Sequence, residues 1–105
     1  MIAQRKEQAL RPSEVLKSRR AAIRAAVERY NVRNPRVFGS VLTGADTEGS
    51  DLDLLVDAPP GTTLFDLGGL ESELEQLLGV KVEVLTPQDL PPRIRLAVLS
   101  EAQLL

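Results

Sequence analysis

The stretch Val37-Phe38-Gly39-Ser40-Val41-Leu42-Thr43-Gly44-Ala45-Asp46-Thr47-Glu48-Gly49-Ser50-Asp51-Leu52-Asp53-Leu54-Leu55-Val56-Asp57 sets two polar knots into apolar sequence. Gly39-Ser40 stops one short apolar run, and Asp51-Leu52-Asp53 opens the next. Side chains along a strand alternate between faces, so Leu52, Leu54 and Val56 point one way while Asp51, Asp53, Leu55 and Asp57 point the other. Three apolar residues choose the core side. Asp51 and Asp53 then share the opposite face, with Cα atoms roughly 6 to 7 Å apart at the usual strand rise.

Two carboxylates held that close repel, and crowding raises their pKa values unless a cation compensates. The chain has neither His nor Cys. Oxygen-only ligands favour Mg²⁺ or Mn²⁺ over zinc, and Mg²⁺ typically takes one or two protein carboxylates and completes its shell with water and substrate phosphates. Asp51 alone also suits a loop end, which does not account for Asp53. At Gly39-Ser40, a glycine where a strand gives way to a helical turn lets backbone amides approach an anion closely, and the serine adds a hydroxyl donor. The stretch therefore holds a candidate phosphate turn, Gly39 and Ser40, and a candidate metal pair, Asp51 and Asp53.

Outward from this stretch, Ser13 is placed to cap a helix running to about Tyr30, with Leu16, Ile23, Val27 and Tyr30 on one stripe. Lys17, Arg20 and Arg24 form a neighbouring, solvated face. Asn34-Pro35 breaks that helix, Arg36 to Phe38 is a short strand, and residues 40–50 read as a one-turn helix plus loop. After Leu52 to Val56, Thr63 caps a helix carrying Leu67, Leu70, Leu74, Leu77 and Leu78, with Gly79 as its stop. Gly68-Gly69 weakens the first half of that helix and admits close packing. In the third strand, Val80 to Leu85, the valines at 80, 82 and 84 mark the core face and Glu83 falls opposite. Beside the aspartate strand, Glu83 either completes a metal site or takes a proton from an acceptor hydroxyl; elsewhere it faces solvent. Pro91-Pro92 starts a last helix containing Ile94, Ala97, Val98 and Leu99. These elements predict an α+β, two-layer domain: a small three-stranded sheet with helices on one face and the other face open.

The chain as a whole sets limits. Its 105 residues are expected to form a single domain, 1–105, with residues 1–12 a flexible charged lead-in. Absent cysteine excludes disulfides, and absent histidine excludes imidazole as general base or metal ligand. No apolar run approaches the ~20 residues of a membrane span, so the expected location is the cytoplasm. Residues 1–36 carry ten basic and three acidic residues, a net of +7, against a net of −9 over 37–105. That acidic remainder would repel phosphates unless a metal stood between, so nucleic acid is not expected as the main ligand. Asp46, Glu48 and Ser50 imitate alternate calcium-loop ligands, but Asp51 stands where the loop needs glycine.

Gly39-Ser40, ten residues, then Asp51-x-Asp53, with Gly44 between and the later strand Val82-Glu83-Val84-Leu85-Thr86, resembles the signature of the minimal nucleotidyltransferases of the DNA polymerase beta-like superfamily. The resemblance covers roughly residues 13 to 100. It implies a small mixed sheet of the nucleotidyltransferase fold, phosphate binding by Gly39 and Ser40, metal binding by Asp51 and Asp53, and Glu83 as third carboxylate. Glu83 replaces the commoner Asp, and Thr43 stands where many members carry a basic residue. It further implies Mg²⁺-dependent transfer of a nucleoside monophosphate, AMP from ATP by default, to a hydroxyl of a partner protein. That partner would be a helical HEPN-family toxin, with this chain as its antitoxin. The alternative is a noncatalytic nucleotide- or protein-binding antitoxin that neutralises its partner by association. A homo-oligomer is open on either reading.

Overall fold

The computed structural model describes residues 10–105. Helix α1 (Pro12–Val27) is followed by β1 (Arg33–Phe38), the single-turn α2 (Ser40–Thr43) and β2 (Leu52–Asp57). Next come α3 (Leu64–Leu78), β3 (Val82–Leu85), a 3₁₀ turn (Pro87–Asp89), α4 (Pro92–Glu101) and β4 (Gln103–Leu104). The expected flexibility of residues 1–9 lies outside the described residues. Residues 11 and 12 are not loose: Pro12 is buried as the first residue of α1, and Arg11, rather than Ser13, occupies the N-cap. Proline suits that first position because its missing N–H has no helical partner to lose.

The sheet is mixed and four-stranded, in the order β3-β2-β1-β4, one strand more than expected. The extra strand is only Gln103–Leu104, antiparallel to β1, too short to carry an alternation pattern. Strand β1 is antiparallel to β2, and β2 is parallel to β3. Strand β1 also starts earlier than read. Helix α1 has already ended at Val27, and Asn34-Pro35 lies inside β1, where Asn34 takes φ 54° and the register against β2 shifts. The proline ring and a left-handed Asn are both accommodated by a bulge rather than by a break between elements.

Leu52, Leu54 and Val56 are buried together with Val37, Val82 and Val84 beneath the stripes of α1 and α3. Ile23, Ala26 and Val27 come from α1; Leu70, Leu74 and Leu78 come from α3. Thr63 caps α3 through a reciprocal box with Asp66, and Gly79 ends it at φ 73°. Gly69 does admit close packing, since a Cβ there would meet Tyr30 Cε1 at 3.0 Å. The Tyr30 hydroxyl continues past it to donate to Glu73 Oε1 at 2.8 Å. The edge strand β3 is closed by its own helix: Glu75 accepts from the Val82 N–H and Glu71 from the Val84 N–H, at 3.0 and 2.9 Å. Amides that could recruit a foreign strand are thereby used internally.

Two expectations about the layers change. The second sheet face is not wholly open, because Leu55 is fully buried there, β2 packs against the 3₁₀ turn, and Leu90 behind that turn is buried too. Helix α4 forms as read but buries none of its side chains. It is held through Arg95, which donates to the carbonyls of Pro87 and Leu90. No described helix is long and apolar enough to cross a membrane.

Candidate active site

The register of the sheet assembles the carboxylates. Asp53 stands opposite Phe38 of β1 and opposite Glu83 of β3, so the two acidic side chains share the sheet face away from α1 and α3. Asp51 precedes β2 by one residue and is exposed; Glu83 is exposed and Asp53 half-buried. Leu52 and Val82, their neighbours on the other face, are in the core and fix this orientation.

Gly39 meets this group from the side. It N-caps α2 with φ 81° and ψ −153°, backbone angles that only glycine adopts readily. A Cβ on Gly39 would lie 2.7 Å from Asp53 Oδ2, so the turn rests directly on the carboxylate. Ser40 opens α2, and its carbonyl accepts from the Thr43 hydroxyl at 3.2 Å and from the Ala45 N–H at 3.0 Å. Thr43 thus closes the turn locally. Gly39, Asp51, Asp53 and Glu83 are brought together, with Ser40 next along the chain.

The electrostatics of Asp53 follow from this crowding. Burial, then the charges of Glu83 and Asp51, then a hydrogen bond with Glu83 push its carboxyl up to about 6. Asp57, on the same face of the same strand, goes the other way: Arg36 and Asn34 hydrogen-bond to it and hold it below the usual carboxylate range. Among the described residues, Asp57 has a cationic partner and Asp53 has acidic neighbours. Among the described residues no three acidic groups form a cage able to hold a metal unaided. The donor set instead fits a divalent ion shared between one or two carboxylates and the phosphates of a substrate.

A pH dependence follows. The folded chain holds the Asp53 proton more tightly than the unfolded chain, whose carboxyl sits at 3.8. This contribution to stability is complete below the unfolded value and is lost as pH rises to about 6 and beyond. Asp53→Asn should therefore raise the melting temperature relative to the unsubstituted chain at pH 7.5 and lose that advantage near pH 4. Millimolar Mg²⁺ should raise the melting temperature of the parent at pH 7.5 and leave Asp53→Asn nearly unmoved. Parallel pH responses of the two proteins would contradict the assignment of this carboxyl.

Sequence reasoning missed Asp46 and Arg11. Asp46, read only as a calcium-loop mimic, is buried against Arg11, which accounts for its place better than any ligand role. An acidic residue amid small polar ones carries no periodic signal. Its partner lies 35 residues earlier, in a segment read as lead-in.

Comparison with known proteins gives the family and the fold. A family model described as a nucleotidyltransferase domain matches residues 19–105. Protein adenylyltransferase MntA of Thermococcus cleftensis is 40% identical over 74 residues, covering 70% of this chain and 75% of that protein. A Methanocaldococcus jannaschii relative, also named among the protein adenylyltransferases, is 38% identical over 74 residues, covering 70% and 80%. A solved structure described as a minimal nucleotidyltransferase superposes with a TM-score of 0.76 at 46% identity, covering 86% of this chain and 92% of that one. A toxin-antitoxin complex with AMP-PNP shares the fold alone, with a TM-score of 0.68 at 17% identity, over 80% and 69% of the two chains. With a family match across more than four-fifths of its length, the chain belongs to the nucleotidyltransferase domain family, as an enzyme of the minimal type.

Proposed function

We propose that this enzyme transfers AMP from ATP to a hydroxyl of a partner protein, using the site formed by Gly39, Ser40, Asp51, Asp53 and Glu83. The observation that carries this reading is the half-buried Asp53 carboxylate, pressed under the Gly39 turn and crowded by Asp51 and Glu83. Asp51 and Asp53 would hold Mg²⁺, with Mn²⁺ an acceptable substitute, and a bound ion would supply neutralisation of the charge that builds on the phosphates during transfer. Ser40 and the backbone amides of its turn would hold the far phosphates and so orient the nucleotide toward the aspartates. The acceptor oxygen bonds to the α-phosphorus, the bond to pyrophosphate breaks, and Glu83, exposed one strand away, receives the hydroxyl proton.

The acceptor side rests on the relatives. The Thermococcus cleftensis protein is named a protein adenylyltransferase, and fold neighbours come from toxin-antitoxin complexes. We take the partner to be a helical toxin of the HEPN family and this chain to be its antitoxin, acting in the cytoplasm. Incubation with labelled ATP, Mg²⁺ and the protein encoded beside it should label that protein on a side-chain hydroxyl. Absence of label, with the toxin neutralised just as well by an Asp51→Ala, Asp53→Ala variant, would assign neutralisation to association instead.

A further inference from the structure

Asp46 is an acidic group covered by its neighbours. Its side chain has no exposed surface, against 40% for that of Arg11. Asp46 Oδ1 accepts from Arg11 Nη2 at 3.1 Å, and Oδ2 accepts from the backbone N–H of Ser13 at 2.7 Å, in the first turn of α1. The same Arg11 nitrogen also donates to the Gly44 carbonyl at 3.0 Å. Burial pushes the Asp46 carboxyl up, but the Ser13 amide and Arg11 outweigh it and hold the group below the usual range. A buried charge retained this way is costly unless fully paired, so the contact demands a fixed geometry.

Gly44 and Asp46 lie on the link between α2 and β2, the segment that joins the Gly39-Ser40 turn to Asp51 and Asp53. On either side of them, among the described residues, the hydrogen bonds of the link close on itself. Thr43 and Ala45 bond back to the Ser40 carbonyl. Beyond Asp46, the Thr47 N–H donates to Ser50 Oγ at 2.8 Å and the Ser50 N–H to the Thr47 carbonyl at 3.0 Å. Such local bonds set the shape of each turn but not its place on the body of the protein. The bonds from Arg11 and Ser13, spanning 33 to 35 residues of sequence, fasten the middle of the link to the start of α1, while its ends are placed by the buried Val41 and by the pairing of Phe38 with Asp53.

We infer that Arg11 and Asp46 form a clamp that holds the link between Ser40 and Asp51 against the start of α1, which makes both of them positioning residues for the nucleotide. The inference rests on the assignment of Gly39-Ser40 and Asp51/Asp53 as two halves of one site. A reacting group displaced by about 1 Å costs on the order of a hundredfold in rate, so a slack link has a direct kinetic reading.

The test measures Kd for a non-hydrolysable ATP analogue in Mg²⁺, KM and kcat for ATP, and the melting temperature. The proteins are Asp46→Ala, Arg11→Ala, Arg11→Lys and the double alanine variant. The clamp predicts Kd and KM raised by about tenfold or more in each single alanine variant, with the double variant little worse, because both lose one interaction. Arg11→Lys, which keeps the charge but not the fork, recovers part of the loss. A purely structural role would lower the melting temperature and the active fraction and leave Kd and KM unchanged. Values within about twofold of the parent in both alanine variants, with Asp53→Ala inactive, would overturn the clamp and spare the site. An active Asp53→Ala would overturn the site assignment itself. Should Asp46→Ala fail to fold, Arg11→Ala decides alone, since its side chain stands half in solvent.

Discussion

Asp53→Ala is expected to lower nucleotidyl transfer by at least about 10²-fold, the scale seen when one preorganised electrostatic contact to a transition state is removed. The same substitution should leave the fold intact. Asp53 is half-buried on the sheet face away from the main core, and its ionised form is destabilised there by burial and by Glu83 and Asp51. Removing it takes out a charge crowded by two others, so the melting temperature above pH 6 should hold or rise. Asp57→Asn supplies the contrast on the same strand and face. It loosens the bonds from Arg36 and Asn34, lowers stability, and leaves transfer close to that of the parent. Turnover of labelled ATP and thermal melts on the two variants separate the roles; transfer lost equally in both would mean that β2 carries structure rather than chemistry.

What was legible in the sequence was whatever repeats at the period of an element. The alternation Leu52-Asp53-Leu54 gave the core face of β2 and, with it, the shared face of the aspartates; the valines of β3 did the same for Glu83. Thr63 and Gly79 marked both ends of α3 by their local chemistry, which needs no tertiary context. The register that puts Glu83 beside Asp53 was not legible, because pairing between strands separated by a helix depends on how that helix packs. Nor was β4, two residues long, nor the cover over Leu55, which comes from a 3₁₀ turn rather than a periodic element. The Arg11–Asp46 pair joins two segments without pattern, and only the folded chain reveals it. In α4 the apolar residues Ile94 and Leu99 keep 41% and 39% of their surfaces exposed. Hydrophobic composition says that a helix can pack, and the neighbours decide whether it does.

Gly39→Ala should be the most damaging single-methyl change in the site, and Gly44→Ala shows why. Both glycines have positive φ, 81° and 79°. For Gly44, at the C-terminus of α2, a Cβ would meet nothing within 4 Å, so alanine pays only the left-handed backbone cost of about 1–2 kcal/mol. Gly39 combines φ 81° with ψ −153°, a region essentially closed to alanine, and its Cβ would sit 2.7 Å from Asp53 Oδ2. Something must move, and what can move is either the carboxylate or the turn. Displacing the first shifts a candidate metal ligand, and displacing the second shifts the amides proposed to hold phosphate. Either outcome spoils the alignment, so transfer should fall by about a hundredfold while stability drops by about 1–3 kcal/mol. Gly44→Ala should show a comparable loss of stability with a much smaller loss of rate. The discriminating quantity is thus the ratio of activity to stability in the two variants, read from kinetics and denaturant melts on the same preparations. Equal ratios would mean that backbone strain alone explains the glycine; a deficit confined to Gly39→Ala would tie it to the carboxylate it touches.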